Sequence, residues 1–65
     1  MEFEEVRRRV EEVFPELIKI LEEKHPELVP LYRLRYEYAT GEHYSLSMRL
    51  HNAYEILKTY SILKH

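Results

Sequence analysis

Apolar residues recur along this chain at helical spacing. Phe3, Val6, Val10, Val13 and Leu17 follow one another at intervals of 3, 4, 3 and 4, which places them on one stripe of an α-helix. The opposite side carries Glu4, Glu5, Arg7, Arg8, Arg9, Glu11 and Glu12. Glu4 with Arg8, and Glu5 with Arg9, stand four apart with the acid first, the more favourable order for ion pairs along a helix. Pro15 interrupts this segment. Proline has no N–H to donate and its ring collides with the preceding turn, yet it sits well in a first helical turn. The pattern therefore predicts a break near Phe14 with a second helix over Pro15 to Lys24. A single kinked helix over residues 2–24 is the alternative, since the apolar phase continues through Leu17 and Leu21.

His25-Pro26 marks the next boundary, because a residue before proline avoids the α region. Residues 26–30 read as one helical turn or a tight connector. From Pro30, Leu31, Leu34 and Tyr38, joined by Tyr32 and Ala39, form another apolar face. Gly41 is placed to stop that helix in the left-handed conformation that glycine adopts readily. The final helix is predicted from about Glu42 to Leu63, with Leu46, Leu50, Ala53, Leu57 and Tyr60 spaced 4, 3, 4 and 3. Met48, Tyr54, Ile56 and Leu63 spread its apolar surface beyond one stripe. A helix of some 22 residues spans roughly 33 Å, so part of that surface must be covered by the other helices or by another chain. The expected core is Val6, Val10, Val13, Leu17, Leu21, Leu31, Leu50, Ala53 and Leu57.

Composition supports this all-α reading. One glycine, three prolines and no aspartate leave little from which to build β-turns. The abundant Glu, Leu, Arg and Lys favour helix. Sixty-five residues make one domain, expected as a compact bundle of three to four helices whose long C-terminal helix packs up-and-down against the N-terminal ones. A domain of this size buries only about 60% of its unfolded surface, so its stability is modest. With no cysteine, disulfides, thiolate chemistry and cysteine-bound zinc are excluded.

The net charge of −2 predicts no strong polyanion binding. Abundant Glu, Lys and Arg with one asparagine and no glutamine suit a thermophile. The acidic N-terminus is followed by no apolar signal core, and no stretch reaches the roughly 18 apolar residues of a membrane span. These features point to a cytoplasmic protein that does not enter membranes.

Candidate chemistry centres on residues 41–58, which read Gly41-Glu42-His43-Tyr44 and then His51-Asn52-Ala53-Tyr54-Glu55-Ile56-Leu57-Lys58. This resembles the HEPN family of helical-bundle domains, in which a helix ends at a glycine, a tyrosine soon follows, and a long helix carries a histidine, alanine, glutamate, leucine and lysine in that order. The resemblance covers about a third of the chain. It implies a helical bundle and, in many members, a dimer. Active members cut RNA with an arginine followed after roughly four to six residues by a histidine. Here Arg35 and His43 are separated by seven residues, and Arg49 and His51 by one. A related pattern sets a tyrosine five positions after the arginine, as with Arg49 and Tyr54, but five positions is a poor same-face separation. The resemblance thus implies a truncated, non-catalytic module.

Other residues carry less. His51 and Glu55 are four apart and His43 and His51 eight apart, whereas a metal site needs three or four ligands; neither a metal nor a cofactor is expected. Arg7, Arg8 and Arg9, with Arg33 and Arg35, can form a phosphate-binding patch or, among so many glutamates, an ion-paired helix face. Six tyrosines, four of them near Gly41, suit an interface, base stacking or a core edge. No nucleophile–base pair or glycine-rich phosphate loop is present, so no catalytic residue is assigned and the balance leans away from an enzyme. The leading expectation is a HEPN-like protein–protein interaction module, with a homodimer as one form. The alternatives are a nucleic-acid-binding or RNA-processing module using Arg7 to Arg9, Arg49 and the tyrosines, and an inhibitor or adaptor docking a helix on a partner. Candidate binding residues are Arg49, His51, Tyr54, Glu55, Tyr44, Arg7, Arg8 and Arg9.

Overall fold

A computed structural model describes residues 2–65. Helix α1 covers Phe3–Lys24, a single 3-10 turn covers Pro26–Leu28, α2 covers Val29–Thr40 and α3 covers Leu46–Lys64. No strand occurs among the described residues. The helices run up, down and up. Phe14 stacks on Tyr36 at 4.1 Å between ring centres, holding α1 against α2. Tyr32 meets Thr59 at 2.6 Å and Arg35 meets Asn52 at 3.1 Å, which sets α2 and α3 antiparallel. The Arg49 guanidinium lies 5.1 Å from the Phe3 ring centre and the Tyr60 hydroxyl donates to Glu16, so α1 and α3 run parallel. The bundle measures 31 × 21 × 15 Å.

The α1 stripe packs as its spacing predicts. Val6, Val10, Val13, Leu17 and Leu21 are all buried, with Ile18 beside them. Burying each such side chain contributes about 1.5–3 kcal/mol. The predicted break at Phe14 does not occur: α1 is one helix of 22 residues with Pro15 inside it. Pro15 and Glu11, whose carbonyl loses its donor to the proline, are both exposed. Water can therefore satisfy the orphaned carbonyl, and burial of Val13, Leu17 and Leu21 keeps the two halves in one phase. The expected Glu4–Arg8 and Glu5–Arg9 pairs give way to Arg7 bridging Glu4 (3.6 Å) and Glu11 (3.5 Å), and Arg9 reaching Glu12 (3.9 Å).

Two further expectations change at the α2–α3 turn. Gly41 is not left-handed but extended, with φ −70° and ψ 136°. Its role is steric. A Cβ there would lie 2.7 and 2.8 Å from ring carbons of Tyr44 and 2.9 Å from the Glu37 carbonyl oxygen, so the missing side chain lets the Tyr44 ring fold against the end of α2. Helix α3 accordingly begins at Leu46 rather than Glu42. Ser45 caps it, its Oγ accepting from the Met48 N–H at 3.3 Å, a common N-terminal stop for orphan donors.

The inward face of α3 is also rotated from expectation. Ala53 is buried as expected, but the other buried positions are Asn52 and Ile56, whereas Leu50 and Leu57 are partly buried and Leu46 is 52% exposed. Leu31, expected in the core, is 42% exposed, and Tyr32 and Ala39 take the inward positions of α2. The cause lies in α3 itself, which is apolar on several sides. Its leucine spacing alone does not say which side meets the bundle; the cross-helix bonds of Asn52 and Thr59 decide it.

Candidate functional site

The outer surfaces of the three helices differ in kind. Exposed residues of α1 are charged apart from Pro15, among them Glu4, Glu5, Arg8, Glu11, Glu12, Lys19 and Glu23. The large apolar side chains left exposed lie on the other two helices: Leu31 and Leu34 on α2, and Leu46, Met48, Tyr54 and Ile62 on α3. Leu31 and Leu34 are one turn apart. Met48, Glu55 and Ile62 recur every seven residues, two helical turns, and so share one side of α3. Both sets flank the seam that the Arg35–Asn52 and Tyr32–Thr59 bonds close. The outer α2–α3 face therefore mixes Leu31, Leu34, Met48 and Ile62 with Arg35, Glu55 and the exposed His51 and Lys58.

Asn52 anchors this seam. It is 6% exposed, accepts from Arg35 through Oδ1, and donates through Nδ2 to the Met48 carbonyl at 2.9 Å. Arg35 also lies 5.5 Å from the Tyr32 ring centre, and its Nε is buried without an acceptor, as is that of Arg49. Neither arginine makes an ion pair among the described residues, unlike Arg7, Arg9 and Arg33. The sequence offered Arg35 only as a member of a phosphate-binding patch and did not single out Asn52. The available signal was that Asn52 is the chain's one asparagine and precedes Ala53 on the expected inward stripe.

The candidate residues from the sequence do not converge on one spot. Arg49 turns inward over Phe3, while His51 and Tyr54 are exposed on the outer side of α3. Glu55 is partly buried at the α2–α3 seam, and His51 does not pair with it; the histidine–carboxylate pair that forms is His25 with Glu27 at 3.8 Å. Tyr44 lies in the turn, edge-on to Tyr38 at 5.0 Å, and donates from its hydroxyl to Glu37 at 3.0 Å. That bond to a carboxylate, with some desolvation, raises its pKa above the ordinary tyrosine value. Arg7 is neutralised by two glutamates, Arg9 by one, and Arg8 stands exposed. Among the described residues no three histidine or glutamate side chains come together as metal ligands do.

A second feature lies between α1 and the end of α3. Arg9, Leu57, Tyr60, Ser61, Lys64 and His65 line an open groove of about 410 Å³. Glu16 of α1 accepts from two of these residues, Lys64 and the Tyr60 hydroxyl. The lysine and tyrosine bonds hold the Glu16 carboxyl below the ordinary glutamate value, and Glu16 in turn raises Lys64. Arg9 and Lys64, two basic residues of its lining, are thus engaged within the chain, and the Glu16 bonds fasten α3 to α1.

Fold and surface define a class, a minimal up-down-up three-helix bundle with one charged helix and one apolar two-helix face. Compared with known proteins, the chain matches no family profile, no curated sequence and no solved structure. No helix among the described residues is long and apolar enough to cross a membrane.

Proposed function

We propose that this chain is a small, HEPN-like, non-catalytic interaction module that works through protein–protein contact and self-association. The supporting observation is the asymmetry of its surface: α1 presents ion-paired charge, and α2 and α3 present six exposed large apolar side chains. Exposed large apolar side chains gathered on two of three helices are what a contact surface needs. The resemblance to HEPN domains rests on the Gly41-to-Lys58 pattern, and the separation of inward Arg49 from outward His51 and Tyr54 supports the non-catalytic reading. A nucleic-acid role is less well supported, because Arg7 and Arg9 are committed to neighbouring carboxylates.

Light scattering from micromolar to millimolar concentration tests the reading. The mass should rise above the 8.0 kDa of one chain as concentration increases, and Leu34→Glu, a change at an exposed position, should return it to 8.0 kDa without loss of helicity. A wild-type chain of constant monomer mass over that range refutes self-association.

A further inference from the structure

We draw no further inference here: the strongest candidate, the outer α2–α3 face with its exposed Leu31, Leu34, Met48 and Ile62, is interrupted by His51 and Lys58, and nothing in the structure shows what covers it.

Discussion

At residue scale, Gly41 and Glu16 carry the most specific consequences. Gly41 has backbone angles open to any residue, φ −70° and ψ 136°, so an added methyl costs nothing in torsion. What it meets is the Glu37 carbonyl oxygen at 2.9 Å and the Tyr44 ring. The ring can swing aside, while the carbonyl, fixed by accepting the Gly41 N–H at 2.8 Å, yields less. Gly41→Ala is therefore expected to destabilise by about 1–3 kcal/mol, the usual range for forced overpacking, read as a lower midpoint in urea. Glu16 gives a pH signature. Its folded pKa is depressed by Lys64 and Tyr60, so its contribution to stability is present above the ordinary glutamate value of about 4.3 and is lost as pH falls through the lower folded value. Thermal midpoints across pH 2–6 should show that acid loss in wild type and a smaller one in Glu16→Gln. Glycine at 41 was legible in the sequence as a stop, but the reason it is needed was not, because the approach of Tyr44 depends on where the turn places that ring. The Glu16 contact joins residues 44 and 48 positions apart and left no local trace.

At the scale of elements, α1 and α3 contrast. The α1 stripe is clean, and all five positions from Val6 to Leu21 that its spacing assigns to the core are buried. Pro15 suggested two helices, and one forms, because the orphaned carbonyl of Glu11 faces water and the apolar phase does not break. Pro15→Ala restores an N–H and relieves the clash with the preceding turn. It is expected to stabilise the fold by on the order of 1–3 kcal/mol, visible as a higher thermal midpoint; an unchanged or lower midpoint would show that the packing around α1 depends on the proline. In α3 the spacing of Leu46, Leu50, Ala53 and Leu57 suggested one inward side; Ala53 is buried as expected, but Asn52 and Ile56 take the other buried positions. An apolar spacing identifies a face only when the other faces are polar, and α3 has Met48, Tyr54 and Ile62 on its outside. Its start was misplaced for a related reason: Ser45 is one of several polar residues between Gly41 and Leu46, and its capping bond to Met48 is seen only once the turn is built.

At the scale of the whole molecule, the proposed function rests on the surface. The charged outer side of α1 and the apolar outer side of α2 and α3 give the bundle two unlike sides, and the self-association proposed here belongs to the second. The sequence by itself determined the all-helical class, the boundary at His25-Pro26, the end of α2 near Gly41 and the buried stripe of α1, since all of these follow from propensity, proline geometry and local periodicity. Only the tertiary structure decided that α1 continues through Pro15, which side of α3 is buried, and that Arg35 meets Asn52 while Arg49 turns away from His51 and Tyr54. These depend on contacts between residues far apart in the chain, where the energies of packing and of satisfied buried polar groups outweigh local preference.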